Sequence, residues 1–184
     1  MKIFIEGYGT VAVSILRKIQ EIYEINSNCL MVNTIDNSSN CILVEYCLQN
    51  NISLSYSSYL NDDFICQIIN FSPDLVISLY GRRIIPLRVL ETSRIGSFNL
   101  HPSLLPDYKG CFSCPWAIIK GEAWTGITIH EMNETVDTGD ILYQKSIEIS
   151  PFETGYSLYH KCVSEFICVF DDFFSDYLWI CLDN

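Results

Sequence analysis

Three side chains in this sequence have the types and spacing to do chemistry together. Asn99 and His101 stand two apart at the end of the apolar run Ser97–Leu100, so on a strand both point the same way. An amide and an imidazole aimed together at a strand's carboxyl end suit a carbonyl oxygen that becomes an oxyanion. Asp137 follows a strand-like run, in the turn Val136-Asp137-Thr138-Gly139-Asp140. Pro102 and Pro106 stiffen the loop after His101, and Gly110 lets it turn. Singly, each residue has a plainer reading: Asn99 caps a turn, His101 is a hydrogen-bonded core histidine, and Asp137 makes an Asx-turn.

Two other motifs invite chemistry with less force. Gly7-x-Gly9, with Ala12 at the third glycine position and Asp36 downstream, matches a dinucleotide fingerprint loosely. A tight strand-to-helix turn explains it more simply. Cys111-x-x-Cys114 offers two ligands, but a closed zinc site needs four and no matching pair accompanies it, so no bound metal is expected.

The elements that must hold these residues alternate. Lys2–Glu6 is an apolar β-forming run. Thr10 reads as the N-cap of a helix carrying Ala12, Ile15, Leu16, Ile19, Ile22 and Tyr23 at helical spacing. Leu30–Ile35, Ile52–Tyr56, Asp74–Tyr80 and Ser97–Leu100 read as strands; Cys41–Leu48, Asp62–Asn70 and the stretch after Pro86 read as helices. This order predicts an α/β, Rossmann-like domain with a mostly parallel twisted sheet flanked by helices. Gly126–Met132 and Ile141–Ile149 alternate like antiparallel strands late in the chain. The tail from Thr154 is helical, with Leu158, Cys162, Phe166 and Phe170 four apart. No repeat or linker divides the chain, so residues 1–184 are expected to form one domain.

Apolar residues are 49% of the 184 and charged residues 18%, which excludes disorder for the whole. The net charge of −11 is local: Met1–Gly121 holds 10 acids and 9 bases, Glu122–Asn184 holds 12 acids against Lys145 and Lys161. A polyanion would meet a repulsive field over that last third, so no nucleic-acid partner is expected. No run reaches the length of a membrane span, and charge and glycine interrupt the start too early for a signal peptide. Nine cysteines at irregular spacing point to reduced thiols and a cytoplasmic protein.

Phe98-Asn99-Leu100-His101-Pro102-Ser103-Leu104-Leu105-Pro106-Asp107-Tyr108-Lys109-Gly110 closely resembles the active-site loop of the folate-dependent formyltransferases. The likeness continues through Gly126-Ile127-Thr128-Ile129-His130 and Asp137-Thr138-Gly139-Asp140-Ile141-Leu142-Tyr143-Gln144. The resemblance implies a small-molecule cosubstrate, 10-formyltetrahydrofolate, whose formyl group moves to an amine. It implies that Asn99 donates to the oxyanion, that a protonated His101 donates more strongly, and that Asp137 raises the pKa of His101 and accepts the amine's proton. It places the pterin against Tyr80, Arg82, Arg83 and Ile85, with Asn133, Glu134 and Thr135 as the opposite wall.

The family acts on several amines. Its tRNA enzyme adds a basic domain, which is not expected beyond Asn184. Glycinamide ribonucleotide transformylase usually carries a Gly-x-Gly-Ser-Asn phosphate cradle, where this chain has Gly7-Tyr8-Gly9-Thr10-Val11. The segment Cys111–Ala117 looks more like enzymes that formylate nucleotide-linked amino sugars, or the formylation domains of peptide synthetases that act on carrier-bound substrates. The expected acceptor is therefore a nucleotide-linked amino sugar near Gly9 and Thr10, with Lys109 meeting a phosphate and Trp116 stacking. A non-catalytic folate-binding scaffold is the alternative outside enzymes, and the full Asn99, His101 and Asp137 set speaks against it. The apolar tail Phe173, Phe174, Tyr177, Leu178, Trp179 and Ile180 reads equally as core or as a homodimer interface.

Overall fold

Ile3–Gly7 forms the first strand, β1, and all five residues are buried, as an interior parallel strand requires. In this computed structural model, which describes residues 1–36, 38, 41–56 and 61–182, the chain divides into two compact units. The first comprises residues 1–98 with the end of the chain from Leu178; the second is Asn99–Tyr177.

In the first unit, β1 pairs in parallel with β2 (Leu30–Asn33) on one side and β4 (Leu75–Leu79) on the other, and β2 pairs in parallel with β3 (Ser53–Ser55). The order is β3-β2-β1-β4, so the chain reverses its direction of travel across the sheet between β1 and β4. In open α/β sheets the crevice at such a switch point is where ligands sit. Helix α1 (Gly9–Glu21) buries Val11, Ala12, Ile15, Leu16 and Ile19 as one stripe. Its N-cap is Tyr8, not Thr10: Gly9 takes a φ of 68° and starts the helix two residues earlier. Helix α2 spans Ile42–Gln49. Asn61 caps α3 (Asp62–Phe71), its side chain accepting the Phe64 N–H at 2.9 Å, with Asp62 and Asp63 in the positive first turn. Pro86 precedes the short helix α4 (Leu87–Leu90).

Strand β5 (Gly96–His101) begins in the first unit and ends in the second. The second unit continues with helix α5 (Ser113–Ile119), then the antiparallel pair β6 (Trp124–Glu131) and β7 (Ile141–Glu148). Parallel strands early and antiparallel strands late are the order expected from the sequence. Most of helix α6 (Gly155–Leu182) belongs here. Thr154 and Ser157 close its start by reciprocal side-chain to backbone bonds at 3.1 and 2.9 Å. Leu158, Cys162, Phe166, Phe170, Phe173, Phe174 and Tyr177 are buried, so that part of the apolar tail is core, whereas Trp179 and Ile180 are exposed. Among the described residues no helix is long and apolar enough to cross a membrane.

Candidate active site

The carboxyl end of β5 presents Asn99 and His101 on one face, as the two-residue spacing predicts. The loop that follows is tied down by side chains. Thr128 donates its hydroxyl to the Ser103 carbonyl at 2.6 Å and accepts the Leu105 N–H at 3.2 Å; Gln144 donates to the Leu105 carbonyl at 2.9 Å. Tyr108 (φ 56°) and Gly110 (φ 81°) then bend the loop so that a carbonyl and an N–H face inward. On the other side, Gly139 lies against the end of β6: a Cβ there would stand 1.9 Å from the Glu131 carbonyl oxygen. That close approach carries Asp137, itself at φ 52°, into the site.

Four side chains of the second unit converge. Asp137 Oδ2 accepts the Gly110 N–H at 2.7 Å and lies 3.2 Å from His101 Nδ1. Asp137 Oδ1 accepts the Asn99 amide at 3.3 Å and lies 3.3 Å from His130 Nε2. Asn99 Nδ2 is also 3.1 Å from His130 Nε2. His130 is a site residue that the reading of the sequence leaves in the flanking motif. It sits beside a register irregularity at Ile129/His130, and such bulges re-aim side chains. His130 shares its side of the strand with the buried Thr128, but Thr125 and Glu131 are polar too, so the pattern does not single it out.

The backbone fixes where the ring protons sit. His101 Nε2 faces the Tyr108 carbonyl at 2.9 Å, and His130 Nδ1 faces the Glu131 carbonyl at 2.7 Å. A carbonyl only accepts, so each of these nitrogens carries a proton. The second nitrogen of each ring then points at Asp137. It donates there only if the ring holds an additional proton, and otherwise presents a lone pair. The cluster is therefore built with room for a proton between one carboxylate and two imidazoles.

Burial decides its resting state. His101 is 4% exposed and His130 2%. Desolvation pushes the His101 pKa below its ordinary 6.5, outweighing the rise caused by Asp137 and by the Tyr108 carbonyl. Asp137 does raise this pKa, as expected, but the cost of burying an imidazolium is larger and sets the net direction. For Asp137 the balance is opposite. Burial pushes it up, but the His130 hydrogen bond, the His101 charge and the Gly110 N–H together hold it below the usual carboxylate range.

The remaining expected residues lie in two groups. In the first unit, Tyr80 (φ 56°) ends β4 and bridges to Gly7, Arg82 stacks over the Tyr8 ring at 4.2 Å, and Ile85 is buried. Arg83 places its charge on Glu6, and Gly9 and Thr10 open α1. In the second unit, Asn133 folds its own turn, accepting from the Thr135 N–H at 3.0 Å and the Thr138 hydroxyl at 2.9 Å; Glu134 is exposed. Lys109 is exposed, and Trp116 is 50% exposed on α5. Cys111 is exposed, whereas Cys114 is buried with its Sγ 3.9 Å from that of Cys162.

A family model described as formyl transferase matches residues 26–165. The chain is 37% identical over 164 residues to a GDP-perosamine N-formyltransferase of Brucella melitensis, a match covering 89% of this chain and 63% of that protein. The chain thus spans less than two thirds of that relative's length. A phosphoribosylglycinamide formyltransferase from Bacillus halodurans shares the fold, with a TM-score of 0.79 at 24% identity over 96% of this chain and 94% of that one. WlaRD, a sugar 3N-formyl transferase crystallised in the presence of dTDP and 5-N-formyl-THF, gives a TM-score of 0.76 at 26% identity, covering 96% of this chain and 62% of that one.

Proposed function

This chain belongs to the formyl transferase family, and we propose that it is an N-formyltransferase moving the formyl group of 10-formyltetrahydrofolate to the amine of a nucleotide-linked amino sugar. The observation that carries the chemistry is the convergence of Asn99, His101 and His130 on Asp137. Attack of a neutral amine on the formyl carbon puts negative charge on the formyl oxygen and positive charge on the nitrogen. Asn99 answers the first by turning an amide N–H from His130 or Asp137 towards the oxygen. Asp137 answers the second, taking the proton directly or through water and sharing it with the open nitrogen of His101; collapse of the tetrahedral adduct then breaks the bond from the formyl carbon to N10, and the same proton passes to the departing N10 of tetrahydrofolate. A neutral His101 is the form that has this capacity.

The acceptor class is supported by the 37% identity to a GDP-perosamine N-formyltransferase along 89% of the chain. Glycinamide ribonucleotide is the second reading, supported by likeness of fold. In the proposed reading, Tyr80, Arg82, Arg83 and Ile85 with Asn133, Glu134 and Thr135 hold the folate, and Gly9, Thr10, Lys109 and Trp116 serve the acceptor. The acidic last third argues against a nucleic-acid substrate. Nine free cysteines support a cytoplasmic setting, and a homodimer formed through the exposed Trp179 and Ile180 completes the proposal. The test is turnover with 10-formyltetrahydrofolate and a panel of GDP-, UDP- and dTDP-linked amino sugars, glycinamide ribonucleotide and methionyl-tRNA. Highest kcat/KM on an amino sugar is expected. Highest efficiency on either of the others refutes the acceptor class, and no turnover on any refutes the enzyme.

A further inference from the structure

Glu6 is a charged residue inside a strand that is otherwise wholly apolar, and it is 1% exposed. One carboxyl oxygen accepts the Asn33 amide at 2.6 Å; the other has no hydrogen-bond partner among the described residues. The residue stands at the carboxyl end of β1, beside the switch point between β1 and β4. The turn after β4 rests directly on it. A Cβ at Gly81 would lie 2.5 Å from Glu6 Cγ and 3.0 Å from Ser78 Oγ, so only a glycine lets the turn come so close. Tyr80, at φ 56°, is held in a left-handed conformation by its bridge to Gly7, and the Tyr8 N–H donates to the Leu79 carbonyl at 3.0 Å. A strained residue persists only where its surroundings over-determine it.

We infer that Glu6 is the positioning residue of the Tyr80–Arg83 turn: its side chain, clamped by Asn33, packs under Gly81 and fixes the turn's backbone, and so sets folate affinity. The inference rests on the reading that this turn lines the pterin. The groups facing Glu6 are Asn33 from β2 and Ser78 from β4, both neutral, and Arg83 from the turn itself, which supplies the charge. Burial raises the Glu6 pKa to about 7, outweighing Asn33 and Arg83, so the turn closes most firmly over the protonated acid and loosens as pH rises through that value.

Two measurements on the full chain and its Glu6→Gln variant test this. Calorimetric titration with 5-formyltetrahydrofolate should show wild-type affinity falling about tenfold from about pH 6 to about pH 8, the scale of the linkage across that range. The variant should bind with no such fall. Hydrogen exchange of segment 78–86 in the unliganded proteins, corrected for intrinsic rate, should show the same pattern: protection falling with pH in the wild type and flat in the variant. Equal affinities and equal pH slopes in both proteins overturn the role of Glu6 while leaving the folate reading intact. If neither protein binds folate, that reading fails, and the exchange experiment alone decides on Glu6: equal pH dependence in both proteins overturns it.

Discussion

Replacing Glu6 by glutamine should stabilise this protein, and by an amount that depends on pH. Glu6 has an ordinary pKa of 4.5 in the unfolded chain and about 7 when buried. Between those values the folded protein holds a proton that the unfolded chain has released, so stability falls as pH rises, and above about 7 the whole cost is present. The gap corresponds to about 3 kcal/mol at 1.36 kcal/mol per pKa unit. Glutamine keeps the acceptor for Asn33 and never ionises. It adds an amide N–H₂ where the carboxylate oxygen had no partner, at a cost of about 1–3 kcal/mol that does not vary with pH. The difference in unfolding free energy between variant and wild type therefore separates the two effects: its offset reads the amide, its slope reads the charge. Urea denaturation from about pH 5.5 to about pH 8.5 should show the variant gaining about 2 kcal/mol on the wild type across that range, since about 1.4 kcal/mol of the cost is already present at the lower end. A difference that stays constant with pH, or that shrinks as pH rises, would refute the assignment of a proton to buried Glu6.

Three further outcomes follow from the site. Asp137→Asn removes the proton acceptor and keeps the shape, so kcat should fall by about 10²–10⁴ while folate affinity, read by titration, stays within a few-fold. His130→Ala removes the partner shared by Asn99 and Asp137; stopped-time assays should show kcat reduced about 10–100-fold with KM for folate little changed, and an unchanged kcat would remove His130 from the machinery. Gly139→Ala drives a Cβ to within 1.9 Å of the Glu131 carbonyl, and thermal unfolding should register a loss of about 3 kcal/mol or more, since backbone must move to admit it.

How much of this was legible in the sequence depends on how local the cause is. The five-residue apolar runs of β1 and β4 and the stripe of α1 follow from periodicity, because burial on two faces or on one leaves that imprint. Asn99 and His101 sharing a face follows from strand parity alone. Helix α5 was not anticipated: it is seven residues long, contains Pro115, and starts from Phe112 at a φ of 64°, a start no propensity signals. The entry of His130 depends on the irregularity at Ile129/His130, and that of Asp137 on Gly139 lying against Glu131, neither of which has a local signature. The net direction of the His101 shift was not legible for the same reason. Its partner was visible in the sequence, but the depth of burial that outweighs the partner is a property of the folded unit.

Glu6 and Asp137 show what decides the state of a buried carboxyl in this molecule. Both are largely shielded from water, Glu6 at 1% exposure and the Asp137 side chain at 9%. Desolvation is the largest influence on each and pushes both upward, yet one ends near 7 and the other below the carboxylate range. Burial alone does not separate them; the number of donors does. Asp137 receives the Gly110 N–H and the Asn99 amide and has a ring nitrogen against each oxygen, whereas Glu6 has the Asn33 amide, an opposing charge from Arg83 and an oxygen without a partner. Each N–H donor stabilises the ionised form: Asp137 has two, with two ring nitrogens that donate as well whenever either imidazole is protonated, whereas Glu6 has one and releases its proton reluctantly. The consequence is a division of labour set by hydrogen bonds. Asp137 is ready to meet a cation or take a proton at neutral pH, as amine chemistry demands. Glu6 is poised to change charge across the range in which the cell's own pH moves, where a side chain that only positions a turn has the most leverage.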